Sequence, residues 1–155
     1  MLLVLGVSFQ LLAGCAGLGK NLQPPRITLA GIRPEAFTGL ETVLRIQLRV
    51  FNTNDMALKV KGIEADLEIN GKPFATGLSK AETTIPAFET ALVPVTVYSS
   101  VIDIVKSIQG LQKTAQLTYR LNGKLWLSGE QWLTASLPFE SEGRLTLTDS
   151  KNLPQ

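Results

Sequence analysis

Histidine is absent from the 155-residue chain, and cysteine occurs only once. Without histidine the chain lacks the commonest general base and metal ligand, so serine–histidine and cysteine–histidine catalysis are excluded. The usual zinc sites are excluded as well, because they need several histidine or cysteine ligands. Nothing in the sequence singles out a pair of carboxylates for glycoside chemistry. We therefore predict a protein that is not an enzyme, with no catalytic residues and no metal site.

The chain also lacks a long run of charge of one sign. It has 15 Lys and Arg against 13 Asp and Glu, a net charge of +2, with both signs interspersed. Nucleic-acid binding needs a clustered basic surface, which this pattern does not predict. No basic run is present to bind acidic lipid either. A single cysteine forms no internal disulfide, so in an oxidising compartment the fold must depend on its hydrophobic core.

An apolar N-terminal segment is the most informative feature that is present. Residues 1–14 are nearly all apolar but fall short of the about 20 residues that a membrane span needs. Such a segment is typical of the apolar region of a signal peptide. It ends in Leu12-Ala13-Gly14-Cys15, which resembles the lipobox of bacterial lipoproteins: an apolar anchor, two small residues and the lipidated thiol. This resemblance implies that residues 1–14 are removed and that Cys15 carries lipid, including palmitate.

The alternative for Cys15 is a buried thiol in a core strand, since free cysteine packs as a small hydrophobe. Glycines at positions 14, 17 and 19 disfavour that alternative, because glycine weakens a strand. Mature lipoproteins carry three acyl chains, and stable anchoring takes more than one. Ala16 is not the Asp that signals inner-membrane retention in enteric bacteria. The resemblance thus favours the cell envelope, at the periplasmic face of the outer membrane, with the covalent lipid on Cys15 and no other cofactor.

The rest of the chain is predicted to form a tether, one domain and a tail. Pro24-Pro25 favours extended, semi-rigid backbone, so we assign residues 15–25 to a lipid-anchored tether. Residues 26–148 have the length of one β domain. Residues 149–155 form a polar, flexible tail in this prediction.

Alternating apolar and polar residues predict an all-β domain. The alternation is cleanest at Glu41–Phe51, as expected for a half-buried strand. Asn70-Gly71 and Asn122-Gly123 are both strong hairpin signals. Arg33-Pro34-Glu35 is expected to break the first strand, and Pro94 predicts an edge or bulged strand. The predicted strands are 26–32, 41–51, 57–70 (one bent strand or a pair), 72–79, 91–98, 115–121, 124–127, 132–139 and 144–147.

One helix is predicted between these strands. Ser99 or Ser100 can cap it, and a helically spaced apolar stripe is expected to face the core. The stripe consists of Val101, Ile104, Val105, Ile108 and Leu111. About eight short strands with a single helix indicate an antiparallel β-sandwich.

Four sequence features occur in an order that resembles a known family. They are Leu48–Asn54 with its Asn52-Thr53-Asn54 turn, Ile63–Gly71, Ile85-Pro86 leading into Val93–Val97, and Leu137-Pro138-Phe139 ahead of Gly143. Together they resemble the water stress and hypersensitive response (WHy) domain of the folded late embryogenesis abundant proteins (type 2), over about Pro25 to Leu147. The family turn usually reads Asn-Pro-Asn, and Thr53 occupies the proline place here.

The resemblance implies a fibronectin type III or immunoglobulin-like sandwich and a non-enzymatic role in tolerance of desiccation. The expected clients are periplasmic proteins or the membrane itself. Two other functions stay open. One is an envelope adaptor or assembly module that docks a protein partner along an edge strand. The other is a carrier of an apolar ligand or lipid, with a cavity between the sheets and the helix.

Charged side chains on two predicted strands are expected to be structural. Glu64, Asp66 and Glu68 share one strand face about 7 Å apart, too far to chelate one cation unaided. If the strands pair, Arg45 and Arg49 meet this acidic stripe across the ladder, which favours a solvated face over a ligand site.

Two further groups have a structural and a functional interpretation. Asn52, Asn54 and Asp55 are expected to satisfy their own turn backbone, with presentation to a partner as the alternative. Trp126 and Trp132 are expected to pack in or near the core, with an aromatic binding surface as the alternative.

Overall fold

The computed structural model describes residues 22–109, 116–128 and 136–146. These residues form seven strands and one helix: β1 (Arg26–Thr38), β2 (Glu41–Phe51), β3 (Leu58–Ile69), β4 (Lys72–Ile85), β5 (Thr90–Ser100), α1 (Val101–Ile108), β6 (Gln116–Leu127) and β7 (Ser136–Thr146). The predicted signal peptide, the lipobox, Cys15, Trp132 and the tail lie outside the described residues. Within those residues, no helix has the length and apolar character that crossing a bilayer requires.

Strand β2 has the bounds that its alternation predicts. Its even-numbered apolar side chains Leu44, Ile46, Leu48 and Val50 are buried, while Arg45 and Arg49 are exposed. Burial of each such apolar side chain contributes about 1.5–3 kcal/mol, which offsets the entropy lost when the strand orders. The same alternation places the apolar rows of β3, β5 and β6 in one continuous core.

The seven strands form one antiparallel sheet in the order β1-β2-β5-β4-β3-β6-β7. The sheet curls around the core, so that β1 and β7, the two ends of the order, come into contact. The backbone N–H of Leu29 on β1 donates a hydrogen bond to the hydroxyl of Tyr119 on β6 at 3.3 Å. The mainly β, antiparallel fold with one short helix is thus confirmed.

The junction between β4 and β5 is where the predicted two-sheet sandwich and the observed sheet differ. Thr76 and Tyr98 form the one registered ladder pair between these strands. Beyond that pair, the Ser79 hydroxyl accepts the Thr96 N–H at 2.7 Å and donates to the Thr96 carbonyl at 3.2 Å. This contact joins β1-β2-β5 to β4-β3-β6-β7 as one sheet, and the division into two facing sheets stays a prediction.

The first predicted hairpin is confirmed, and the second is wrong. Asn70 and Gly71 have φ angles of 52° and 72°, and they turn β3 into β4. Asn122 and Gly123 instead lie inside β6, which runs unbroken from Gln116 to Leu127. A Cβ at position 123 would lie 2.0 Å from the Glu64 carbonyl oxygen and 2.6 Å from the Phe139 ring. Glycine at this position serves the close approach of neighbouring strands rather than a turn.

Two other predicted interruptions are also absent from the described strands. Strand β1 continues through Pro34 to Thr38, with register shifts beside Leu29 and Pro34, because an edge strand tolerates proline and bulges. Strand β7 runs from Ser136 to Thr146 across the predicted connection at 140–143. Ser141 is buried there and maintains the alternation of the strand.

The missing N–H of Pro94 falls at the junction between β4 and β5. The N–H and carbonyl of Thr96 point towards β4. Main-chain groups two residues apart in a strand point the same way, so the backbone nitrogen of Pro94 also faces β4. The ladder with β2, in which Pro94 stands opposite Gln47, therefore loses no donor.

Helix α1 begins where the sequence predicts, but its predicted apolar stripe does not lie wholly in the core. The Ser100 hydroxyl accepts the Asp103 N–H at 3.0 Å and donates to the Asp103 carboxylate at 2.7 Å. Val101 and Val105 are exposed, whereas Ser107 is buried. The helix lies at the end of the sheet, where the Asn70 amide donates to the Ser107 carbonyl at 2.9 Å. Leu111 and the side chain of Ile108 lie outside the described part of the structure.

Candidate functional site

The Asn52-Thr53-Asn54 turn lies between β2 and β3, at the end of the sheet where the N-terminal segment enters. Asn52 is fully buried and Asn54 is 7% exposed. Buried amides are costly unless they are hydrogen-bonded, so their partners determine what the turn does. Asp55, the third polar residue of this group, is exposed.

Asn52 connects two segments of the chain. Its Nδ2 group donates to the carbonyls of Met56, Ile85 and Pro86 at 2.7, 3.1 and 3.0 Å. Its backbone N–H donates to the Glu89 carbonyl at 2.9 Å. The β2–β3 turn and the loop between β4 and β5 are therefore held by one buried side chain.

Asn54 continues this network to the N-terminal segment. Its backbone N–H and its Nδ2 group donate to Asn52 Oδ1 at 3.0 and 3.1 Å. Asn54 Oδ1 accepts the Gln23 N–H at 2.8 Å, and Asn54 Nδ2 donates to the Gln23 carbonyl at 3.0 Å. We refer to these contacts of Asn52 and Asn54 as the tether clamp, because they hold the last residues of the predicted tether.

Thr53 adds a contact that the usual family residue could not make. Its hydroxyl donates to the Pro24 carbonyl at 3.1 Å. Proline would restrict the backbone at this position but has no side-chain hydrogen-bond donor. Threonine lacks that restriction and instead donates a hydrogen bond to the tether. The three site residues predicted from the sequence thus act together, on the tether and neighbouring loops as well as on their own turn.

The tether clamp has the chemistry of a structural element. The amide groups of Asn52 and Asn54 both donate and accept hydrogen bonds within the chain. Such a network fixes backbone geometry and holds no nucleophile or general base. Within the described residues, no group of three or more acidic, histidine or cysteine side chains is placed to hold a metal ion.

The condition under which Arg45 and Arg49 would meet the acidic stripe is not fulfilled, because β2 pairs with β1 and β5 rather than with β3. Arg45 instead contacts Glu35 of β1 at 2.5 Å. In the stripe, Asp66 accepts a hydrogen bond from the Thr76 hydroxyl at 2.5 Å. The structure thus places Arg45 and Asp66 in separate local contacts.

Arg120 on β6 is a charged residue that the sequence interpretation missed. Its Nε atom lies 2.6 Å from a Glu142 carboxylate oxygen and 4.0 Å from Glu140, and its Nη1 atom lies 3.7 Å from Glu68. The hydrogen bond and charge of Glu142, with the charge of Glu68, raise the pKa of Arg120. These partners become visible only when β3, β6 and β7 are known to be neighbours. The other aromatic candidate, Trp126, is half-buried on β6.

A family model described as "Late embryogenesis abundant protein" matches residues 47–143, more than half of the chain. This match includes the Asn52-Thr53-Asn54 turn. Among curated proteins, no sequence matches the chain.

Two solved structures share the fold. One is a solution structure of an Arabidopsis thaliana protein, with 12% identity and a TM-score of 0.63, covering 81% of this chain and 83% of that one. The other is the solution structure of a protein described as a candidate member of the late embryogenesis abundant proteins. It shares 16% identity with a TM-score of 0.52, covering 82% of this chain and 73% of that one. At such identities the likeness concerns the fold alone.

Proposed function

This chain belongs to the late embryogenesis abundant protein family, and from that membership we propose that it is a non-enzymatic water-stress protein anchored by lipid at the bacterial outer membrane. The family match is the observation that carries the stress role. The lipobox resemblance of Leu12 to Cys15 supports the anchor. In this proposal the periplasmic face of the membrane and nearby periplasmic proteins are the clients.

A folded domain must protect by a different route from a flexible hydrophilic chain. Hydrophobic residues make up 45% of this protein, and the described strands enclose a continuous apolar core. The rows of side chains that face outward, such as Arg45 and Arg49 on β2, remain exposed. We propose that these rows offer hydrogen bonds to membrane or protein surfaces that lose water. A fibronectin-like division of the sheet into two halves at the β4–β5 junction belongs to the same proposal.

The tether clamp supports the anchored arrangement. It holds Gln23, which follows Cys15 by eight residues that span at most about 28 Å of extended chain. A lipid on Cys15 would therefore keep the clamped end of the domain within that distance of the membrane. The anchor would thus keep the exposed polar rows of the domain close to the membrane surface when that surface loses water.

The adaptor alternative requires an edge strand that accepts another strand. Strands β1 and β7 end the sheet order, and they carry Pro34 and Pro138. Strand β5 carries Pro94 at its incomplete junction with β4. Proline and bulges weaken edge pairing, so these features favour the protective role over docking along an edge.

A complementation experiment tests the proposal. A deletion strain carrying the wild-type gene is compared with strains carrying Cys15→Ala and Ala16→Asp, in survival after drying and in mass spectra of the purified protein. We expect an acylated N-terminus at Cys15 in the wild type and in Ala16→Asp, and loss of both acylation and protection in Cys15→Ala. In an enteric host, Ala16→Asp should keep the lipid but move the protein to the inner membrane.

Two results would contradict separate parts of the proposal. An intact Met1 with a free thiol would remove the anchor. Equal survival of the deletion and wild-type strains after drying, cold and osmotic stress would remove the stress role.

A further inference from the structure

An open groove lies at the end of the sheet opposite the tether clamp, and its lining includes both outward-facing residues and buried ones such as Leu67 and Ala75. Phe74 of β4 and Tyr98 of β5 lie in its lining, together with Leu40 from the β1–β2 turn. The volume of the groove is about 680 Å³, within the range of ligand sites. Strand β2, 11 residues long, separates the groove from the clamp by about 36 Å.

The floor of the groove presents apolar surface to solvent. Tyr98 is 47% exposed and Leu40 is 72% exposed. Exposed aromatic and aliphatic side chains in a concave site gain stability when a partner covers them. Tyr98 pairs with Thr76 of β4, so the floor extends across the two neighbouring strands β4 and β5.

Carboxylates stand on both sides of this floor. Glu41 follows Leu40 on one side, while Asp66 and Glu68 belong to β3 on the other. Asp103 adds a fourth carboxylate at the start of α1, and no Lys or Arg occurs among the described residues that line the groove. Arg120 lies outside this lining and reaches Glu68 at 3.7 Å, so a cationic partner competes with Arg120 at that wall. We call this feature the acidic-walled groove. Such walls repel phosphate headgroups and nucleic acid and attract cationic side chains.

The strand register gives the separation of the two walls. Glu41 pairs with Ser100 across β2 and β5, and Glu68 pairs with Pro73 across β3 and β4. The four strands are neighbours in the order β2-β5-β4-β3, so three strand spacings, about 14 Å, separate the walls. A four-residue extended peptide places its terminal Cα atoms about 10 Å apart, and flexible lysine side chains add the remaining reach.

We propose that the acidic-walled groove binds an extended peptide segment of a protein partner, in which apolar residues are flanked by Lys or Arg. The apolar side chains pack on Leu40, Phe74 and Tyr98, and the cationic groups lie near Glu41 and Glu68. This binding goes beyond the stress role and does not depend on the anchor. If the domain is anchored as proposed above, the groove faces away from the tethered end and is open to a partner.

The probe is a synthetic peptide with blocked ends, Lys-Leu-Phe-Lys, added to the isotopically labelled full chain in an NMR titration. Peptides with the sequences Glu-Leu-Phe-Glu and Lys-Ser-Ser-Lys test the charged and apolar parts separately. We expect the first peptide to shift the amide signals of Phe74 and Tyr98 and to bind more tightly than either of the others.

Charge-neutral variants test whether the carboxylates of the groove walls contribute to peptide binding. Glu41→Gln combined with Glu68→Gln should weaken binding of Lys-Leu-Phe-Lys about fivefold at low salt, and the difference should vanish in 1 M NaCl. Glu89→Gln is the matched control, because Glu89 is exposed and lies in the loop held by the clamp, at the opposite end. Its affinity should equal that of the wild type.

Three outcomes would overturn the proposal. The first is no binding of Lys-Leu-Phe-Lys, or shifts confined to other parts of the sheet. The second is unchanged affinity in the double variant while its amide spectrum stays native-like. Lys113 and Lys151 belong to segments of this chain outside the described residues. The third outcome is a change in the groove signals of a Lys113→Gln or Lys151→Gln variant without peptide, which would mean that the chain's own lysine occupies the groove.

Discussion

Asn54 and Gln23, 31 residues apart in the chain, form a reciprocal pair of hydrogen bonds at 2.8 and 3.0 Å. This pair attaches the tether to the domain, so Asn54→Ala should release Gln23 and leave the strands in place. We expect faster amide hydrogen exchange at Gln23 and new protease cleavage near residues 22–25. Unchanged exchange at Gln23 would show that other contacts hold the tether.

Asn52→Ala should act on the whole domain rather than on the tether alone. The substitution leaves the carbonyls of Met56, Ile85 and Pro86 without their shared donor. Unsatisfied buried groups cost about 1–3 kcal/mol each, and here the costs overlap, so we expect a loss of about 3 kcal/mol in the free energy of unfolding. Urea denaturation of Asn52→Ala and Asn54→Ala measures the difference in their free energies of unfolding. Equal losses for Asn52→Ala and Asn54→Ala would contradict these separate roles.

Replacement of Thr53 tests what the usual family proline contributes. Thr53→Ala and Thr53→Pro both remove the bond from the hydroxyl to the Pro24 carbonyl. Proline also restricts the unfolded chain, so Thr53→Pro should be more stable than Thr53→Ala by about 0.4–1 kcal/mol. Thermal unfolding of the two variants gives the difference. A less stable proline variant would mean that the Thr53 backbone does not suit proline.

Two glycine substitutions form a matched pair. A Cβ at position 123 would overlap the Glu64 carbonyl, whereas a Cβ at Gly31 has no neighbour within 4 Å. We expect Gly123→Ala to lower the free energy of unfolding by about 3 kcal/mol and Gly31→Ala to change it by less than about 1 kcal/mol. Chemical denaturation checks both values. A neutral Gly123→Ala would show that β3 and β6 separate more readily than this packing implies.

The pair Lys80 and Glu82 on β4 predicts a small dependence of stability on pH. Lys80 Nζ lies 2.8 Å from a Glu82 carboxylate oxygen. This hydrogen bond and the opposite charge lower the pKa of Glu82 from its usual 4.5 and raise the pKa of Lys80 from its usual 10.5. The contribution of Glu82 is lost as the pH falls through its lowered pKa. The contribution of Lys80 is lost as the pH rises through its raised pKa.

The free energy of unfolding of Glu82→Gln should therefore differ from that of the wild type mainly between about pH 5 and pH 10, and little in 1 M salt. Denaturation midpoints across this pH range measure the difference, which should be small because both side chains are exposed. A Lys80→Gln variant should show the same pattern. A difference that persists at pH 3 or in high salt would contradict an electrostatic origin.

Local signals in the sequence were sufficient for several elements. The alternation at Glu41–Phe51 predicts β2 correctly, because a strand with one buried face can be recognised from its own sequence without knowing which strands pair with it. Asn70-Gly71 turns because both residues accept positive φ angles. Ser100 caps α1 through a bond to an amide three residues away.

Features that depend on neighbours in space were not predictable in this way. Asn122-Gly123 carries the same turn signal as Asn70-Gly71, but the approach of Glu64 and Phe139 decides the role of Gly123. The partner of Arg45 follows from the strand order, which places β1 rather than β3 beside β2. For the tether clamp, Asn52-Thr53-Asn54 was recognised as a motif, whereas its bond to Gln23 spans 31 residues.

The prolines in β1 and β7, the two strands that end the sheet order, have a consequence when a protein solution loses water. As water leaves, macromolecules crowd together, and exposed strand edges become templates on which other chains polymerise into amyloid-like deposits. Pro34 and Pro138 lie in the two strands that end the sheet order, where proline disfavours pairing with a further strand. A domain built this way can reach high local concentration without itself seeding insoluble deposits.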